Sequence, residues 1–259
     1  MQITFLGTGT SHGVPRIGCS CSVCKSDDSK NKRFRSSILI EEDNTSVVID
    51  TAPEFRLQAV RANINHLDAV FYTHNHADHM NGIDDLRIFT VNTPLDIYGP
   101  PQVLDDIKSR FPYAVGTNKW RGGLPQLSLN DVNPNGVTVG SLHFIPIPLI
   151  HGCREVYGYR IGKVAYLTDC KEIPQASLKL LEGIEILIID ALRLREHSTH
   201  MSFSEAIEAA KLLKVKQAYL THLDHDIGHN QIFKYLPANI EPAYDTLKID
   251  VAHFKVAYA

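Results

Sequence analysis

The chain is poor in cysteine, with five in 259 residues, and the number is odd. Three of the five crowd into positions 19–24, so a disulfide framework is excluded as its organising principle. No apolar run is long enough to span a bilayer. No charged stretch followed by a long apolar segment opens the chain; Met1-Gln2-Ile3-Thr4-Phe5-Leu6 goes straight into a strand pattern, and the expectation is a cytoplasmic protein. Basic residues are not in excess: the net charge is -3, which argues against a broad nucleic-acid footprint. Proline- or glycine-rich linkers, repeats and low-complexity tracts are also missing, so residues 1–259 are expected to form a single domain.

What the chain has in abundance is histidine, thirteen in all. The densest group is Thr73-His74-Asn75-His76-Ala77-Asp78-His79, directly after the apolar run Ala69-Val70-Phe71-Tyr72. A buried strand that ends in imidazoles and a carboxylate is suited to zinc, manganese or iron. Three more polar residues end apolar strands in the same way: His151 after 144–150, Asp169 after 164–168, and His222 after 218–221. Strand ends on one edge of a sheet can converge from distant parts of the sequence. Together these positions offer seven donors, enough for two metals. Asp50 and Asp190 also end apolar strands, and are expected to orient ligand histidines or their loops.

Gly7-Thr8-Gly9-Thr10-Ser11-His12-Gly13 resembles a dinucleotide fingerprint only superficially. Its glycine spacing is wrong, and Val14-Pro15 stands where a helix should start. Cys19, Cys21 and Cys24 suggest thiolate ligation of zinc within a loop at about 18–35, and require a fourth ligand, a histidine from elsewhere. Cys153 and Cys170 read as small packing residues. Residues 111–123, with Tyr113, Trp120 and Arg121, read as an irregular insertion, either a substrate wall or a packed surface excursion.

The pattern predicts a hairpin over 36–50 and helices over 53–62, 80–90, 100–110, 174–181 and 202–213. In the second of these, Ile83, Leu86 and Ile88 are expected to face inward. Strands are predicted over 68–72, 95–98, 124–129, 137–139, 142–148, 157–161, 163–167, 185–189, 216–220 and 246–251. Ser202 and Glu205 have the spacing of a capping box. Strands dominate each half, which predicts sheet on sheet with helices outside.

His74-x-His76-x-Asp78-His79 followed by His151, Asp169 and His222 resembles the metallo-β-lactamase superfamily. That resemblance implies an α/β fold, the αβ/βα four-layer sandwich of two mixed sheets flanked by helices. It also implies that His74, His76 and His151 hold one metal, that Asp78, His79 and His222 hold the other, and that Asp169 bridges them. The cysteine cluster and Thr221-His222-Leu223-Asp224-His225 further resemble the PhnP-type cyclic phosphodiesterases. On that resemblance Cys19, Cys21, Cys24 and His225 bind a separate structural zinc.

The implied activity is that of a dinuclear, zinc- or manganese-dependent phosphodiesterase acting on a small cyclic or diester phosphate. Two metals about 3.5–4 Å apart can clamp a phosphoryl group. His200 matches the position of the proton donor in these relatives, with His197 as its competitor, and Asp78 is counted with His200 as catalytic. The expected partner is a small-molecule phosphodiester, with no membrane and no nucleic acid, and a homodimer is left open. A tRNA 3′-processing activity is a competing reading, although the basic RNA-gripping insertion it needs is not seen. An accessory role like that of PqqB in cofactor synthesis is another, and a thioester or lactone hydrolase would use the same ligands.

Overall fold

The computed structural model describes residues 1–116 and 123–251. Fourteen strands are described, seven in each of two sheets. In the first half they are β1 (Gln2–Gly7), β2 (Ser37–Glu42), β3 (Thr45–Ile49), β4 (Ala69–Phe71), β5 (Leu95–Gly99), β6 (Leu127–Asp131) and β7 (Val137–Val139). The second half contributes β8 (Leu142–His151), β9 (Arg154–Ile161), β10 (Val164–Leu167), β11 (Ile186–Asp190), β12 (Gln217–Thr221), β13 (Ile240–Pro242) and β14 (Lys248–Asp250). The helices are α1 (Phe55–Ala62), α2 (Ala77–Met80), α3 (Pro101–Arg110), α4 (Gln175–Leu180), α5 (Phe203–Leu212) and α6 (His229–Ile232).

One sheet has the order β14-β1-β2-β3-β4-β5-β6, the other β13-β12-β11-β10-β9-β8-β7. From β3 to β6 and from β10 to β13 the neighbours run parallel. Parallel strands buried on both faces read as unbroken apolar runs, which is what Val47-Val48-Ile49, Ala69-Val70-Phe71 and Leu187-Ile188-Ile189 show.

Alternation along each strand sends side chains into different layers. Ile3, Phe5, Ile38, Ile49, Phe71, Phe144, Tyr159, Tyr166 and Ile188 meet between the sheets. Leu39, Val48, Val70 and Ile97 point the other way, onto Phe55 of α1 and Val103, Leu104 and Ile107 of α3. On the second sheet Leu187, Ile189 and Leu220 face Ala206 and Ala210 of α5. These three cores make four layers, as the αβ/βα sandwich requires. The capping box is present: Ser202 accepts from the Glu205 amide, and the Glu205 carboxylate accepts from the Ser202 amide at 2.7 Å.

The sequence expectations fail at a few places. Residues 83–90 form a 3-10 helix, not an α-helix through 80–90. With three residues per turn, Ile83, Leu86 and Phe89 align. Ile88 therefore faces outward, at 67% exposure, instead of inward. β6 starts at Leu127, later than the apolar pattern from Leu124 suggests. β13 and α6 were not foreseen: β13 is a three-residue edge strand ending in Pro242, tolerated because an edge leaves one side unpaired. Trp120 and Arg121 lie outside the described residues. Among the described residues no helix is long and apolar enough to cross a membrane.

Phe71 is fully buried, stacked on Phe144 at 4.2 Å and Tyr98 at 4.8 Å, with Tyr159 edge-on at 5.2 Å. Phe71→Ala should cost about 3–5 kcal/mol, read as a lowered urea midpoint with an unchanged slope.

Candidate active site

The site lies beyond the C-terminal ends of the parallel strands, where ligands of open α/β sheets gather. Asp50 follows β3, Asp169 lies two residues beyond β10, Asp190 ends β11 and His222 follows β12. Asp50, Asp169 and His222 have φ of 65°, 50° and 59°. This left-handed turn out of the strand is uncommon for residues other than glycine, and costs about 1–3 kcal/mol each. It aims each side chain across the sheet edge instead of along the strand.

The histidine loop is anchored from below. Thr51 donates its amide to the His79 carbonyl at 2.7 Å, and Gly82 donates to the Thr51 carbonyl at 2.9 Å. A Cβ on Gly82 would meet the Ala52 carbonyl at 2.1 Å, so the close approach needs glycine. Tyr159 reaches across from the other sheet and donates its hydroxyl to the Tyr72 carbonyl at 2.7 Å.

The structure brings all seven expected donors together. His74, His76, His151 and Asp169 form one group whose ligand atoms lie within 4.8 Å of one another; Asp78, His79, Asp169 and His222 form a second. Asp169 belongs to both. Its Oδ2 lies 3.7 Å from His74 Nε2 and 3.8 Å from His151 Nε2. Its Oδ1 lies 3.0 Å from His79 Nε2 and 3.2 Å from His222 Nε2. The far ring nitrogens are fixed by other partners. His79 Nδ1 donates to Asp50 Oδ2 at 2.7 Å, and His151 Nδ1 donates to the Thr199 carbonyl at 2.8 Å. His74 Nδ1 donates to Thr73 Oγ1 at 2.9 Å, while that hydroxyl donates to Asp50 at 2.8 Å. Holding one nitrogen this way sets the tautomer and frees the other as a donor to metal.

The charges differ between the two groups. Burial opposes the cation at His79, yet Asp169, Asp78 and Asp50 raise it well above the ordinary imidazole value. Burial pushes His74, His76 and His151 below the ordinary imidazole value, so they are neutral. Burial also acts to raise Asp169, but His222 and His79 outweigh it and hold the carboxyl well below the usual range. For His222 burial acts against the cation, yet Asp169 and Asp78 raise it to about 9. His79 Nε2 and both nitrogens of His222 are buried and lack a hydrogen-bond partner, although carboxylate oxygens stand nearby. His74 Nε2 and His76 Nδ1 bond each other at 3.0 Å. Buried nitrogens left without a partner beside buried carboxylates are satisfied by divalent cations, and the two groups of residues fit two.

His200 sits beside this group. Its Nδ1 donates to Asp190 Oδ2 at 2.7 Å. Its ring stacks on His222 at 4.6 Å and lies 4.8 Å from His151. His197 lies 5.2 Å from His200, and its Nδ1 accepts from the Thr199 amide and hydroxyl.

The second cluster is at the other end of the His222 loop. Cys19, Cys21, Cys24 and His225 offer ligand atoms within 4.8 Å of one another. His225 Nδ1 is 3.6 Å from Cys19 Sγ and 3.4 Å from Cys21 Sγ. Sulfur and nitrogen on a tetrahedral zinc are about 3.5 Å apart, from bond lengths of about 2.3 and 2.05 Å. The Arg16 and Cys24 amides donate to Cys24 Sγ and Cys21 Sγ, both at 3.4 Å. The His225 contact and the Cys24 amide lower the Cys21 thiol to about 6, toward the thiolate that zinc takes. The donor set fits zinc. Leu223 donates to the Thr8 carbonyl at 2.9 Å, so the N-terminal loop and the His222 loop are already paired.

Some residues differ from the sequence reading. Cys153 is exposed at a hairpin tip and packs no core, whereas Cys170 is buried under the second sheet. His229 is buried, a structural histidine. His12 is exposed, and His253 lies outside the described residues. A cleft of about 500 Å³ opens beside His74, His76 and His151, lined also by Asn75, Gln102 and Arg154. Sequence reasoning missed Gln102 and Arg154; only the two-residue turn of the structure sets Arg154 opposite His151.

Removing the carboxylate behind His79 should loosen the metal without touching a ligand. Asp50→Ala should lower metal affinity at the strand-end site by about 10–100-fold, measured by titration against a competing chelator. Cys21→Ser should instead release one equivalent of zinc from the loop site.

A family model described as "Beta-lactamase superfamily domain" matches residues 45–223. A crystal structure of "a New Diphosphatase from the PhnP Family" superposes with a TM-score of 0.89 at 40% identity, covering 96% of this chain and 97% of that one. A protein from Porphyromonas gingivalis named octanoyltransferase is 39% identical over 252 residues, which are 96% of this chain but 51% of that protein. The chain thus spans about half the length of that relative, whose name describes the whole longer protein. Zinc-bound PqqB from Methylobacterium extorquens shares the fold, with a TM-score of 0.76 at 18% identity, covering 97% of this chain and 100% of that one. The fold, the match over 45–223 and the close structural likeness lead to one conclusion: the chain belongs to the metallo-β-lactamase superfamily and is PhnP-like within it.

Proposed function

We propose that this PhnP-like hydrolase is a phosphodiesterase that uses two divalent ions, zinc or manganese, to cleave small cyclic or diester phosphates. The observation that carries this reading is the split of the Asp169 carboxylate, one oxygen toward each histidine group. His74, His76 and His151 would hold one ion, Asp78, His79 and His222 the other, with Asp169 between them. Bound there, the ions supply Lewis acidity toward phosphoryl oxygens and make a water acidic enough to attack at neutral pH. The diphosphatase named above, at 40% identity, supports a phosphoryl substrate.

The protein's own part is proton delivery and positioning. Asp190 fixes His200 through Nδ1, which leaves Nε2 as the nitrogen free to carry a proton to a departing oxygen. Asp190 is fully buried, so it holds the His200 ring in one orientation. The stack on His222 keeps the His200 ring beside the centre. Among the described residues His197 bonds Thr199 and no carboxylate, which favours His200 as the donor. Cys19, Cys21, Cys24 and His225 would hold a structural zinc that fixes the loop carrying His222.

Protein loaded with Mn²⁺ or Zn²⁺ should hydrolyse bis(p-nitrophenyl) phosphate and lose that turnover on chelation. Failure of the loaded protein on every phosphodiester tried overturns the reading. His200→Ala should slow alkyl phosphodiesters by about 10²–10⁴-fold and p-nitrophenyl esters far less, because p-nitrophenolate leaves without a proton. An equal loss on both substrates would remove His200 from the proton-donor role.

A further inference from the structure

We infer that Asp106 of α3, acting through Asn75, is the positioning residue for His76 and sets how tightly the first histidine group holds its divalent ion. This rests on the two-ion reading above and extends the site to an outer helix.

Within the first histidine group, His76 has the ring least fixed by its neighbours. His74 Nδ1 is held by Thr73, and His151 Nδ1 by the Thr199 carbonyl. His76 Nδ1 lies 3.0 Å from His74 Nε2, so those two nitrogens face one point. Among the described residues His76 makes no other side-chain hydrogen bond, which leaves its far nitrogen, Nε2, without a carboxylate or carbonyl behind it. His76 is also half-buried, whereas His74 and His151 are buried. A ligand ring without such a partner takes its direction from the backbone that carries it.

That backbone is gripped from α3. Asn75 stands between the ligands His74 and His76, and its Nδ2 donates to Asp106 Oδ2 at 2.7 Å. The same oxygen accepts from Arg110 Nη2 at 2.6 Å, and Nη2 also donates to the Asn75 carbonyl at 3.4 Å. The peptide that leads into His76 is thus tied to α3 through both the side chain and the carbonyl of Asn75. On the far side, the His76 carbonyl accepts the amides of His79 and Met80 at the start of α2. Asp106 and Arg110 are four residues apart and share one face of the helix. The opposite face is seated on the first sheet through Val103, Leu104 and Ile107. The grip therefore comes from an element that is itself fixed.

A surface ion pair such as Asp106–Arg110 contributes little to stability by itself. Lys108 and Asp105 form a comparable pair on the same helix, and among the described residues neither bonds the histidine loop. What sets Asp106 apart is that one oxygen serves both Arg110 and Asn75. Arg110 orients the carboxylate, and Asn75 carries that orientation into the loop by a short, charge-assisted hydrogen bond. The second group is held differently, by fully buried Asp50 behind His79. A change on α3 should therefore reach the ion at His74, His76 and His151 and leave the other in place.

The test withdraws Mn²⁺ stepwise from the loaded protein with a competing chelator, and locates the ions that remain by anomalous diffraction. Asp106→Ala should weaken one strand-end ion by about 10–100-fold, and the signal lost first should be the one at His74, His76 and His151. Asn75→Ala should do the same, and the double variant should be no worse than either, because both remove one link. Asp106→Asn, which keeps an acceptor for Asn75, should restore most of the affinity. Turnover of bis(p-nitrophenyl) phosphate lost in Asp106→Ala should return with excess Mn²⁺, which a general structural defect would not allow. Unchanged affinity in both alanine variants overturns the inference, as do equal losses at both ions, additive losses in the double variant, or no rescue by Asp106→Asn; the two-ion reading then stands. Wild type that binds no ion at the strand ends overturns both. Should Asp106→Ala not fold, Asn75→Ala decides by the same measurements.

Discussion

Buried charge without compensation is the constraint around which this molecule is built. Asp50, Asp169 and Asp190 are almost wholly removed from water, with Asp78 half-buried beside them. Isolated carboxylates at such depth are prohibitively unfavourable. Imidazoles answer part of the charge, and the orphaned nitrogens of His79 and His222 show that they do not answer it completely. Divalent cations would complete the balance, which would make the site and the stability of the strand ends one problem. The same need explains why Thr73 bonds both Asp50 and His74, linking a carboxylate and an imidazole that never touch.

Much of this was legible in the chain because the ligands coincide with the ends of apolar runs. A run such as Leu187-Ile188-Ile189 identifies a doubly buried strand, and the polar residue after it identifies an edge. His74 to His79, His151, Asp169 and His222 could therefore be placed on one rim before any coordinate was known. Resemblance, not spacing, divided them between two ions, and the split of Asp169 agrees with that division. The fourth ligand of the cysteine cluster also came from resemblance; 200 residues separate the cysteines from His225 and no local signal joins them.

What was illegible depended on geometry that periodicity does not encode. The 3-10 helix over 83–90 has a period of three, which turned Ile88 outward. β13 is too short, and its proline too discouraging, to register as a strand. Arg154 carries no signal in the sequence; only the register of β8 and β9 places it opposite His151. Aspartates 50 and 190 were recognised as strand ends, but which histidine each would hold required the structure. The fold was thus visible from pattern, and the site's ligands from pattern joined to family resemblance. The substrate wall belongs to side-chain direction.

Because the donors stand at strand ends, the spacing of the site is set by sheet register. Inserting one residue within β10 or β12 would reverse every side chain beyond it and move Asp169 or His222 to the opposite face. The segments that join strands through the outer layers carry no such restriction. Chain length can change there while the metal donors keep their places. A scaffold of this kind can exchange the segments around its cleft without rebuilding its chemistry.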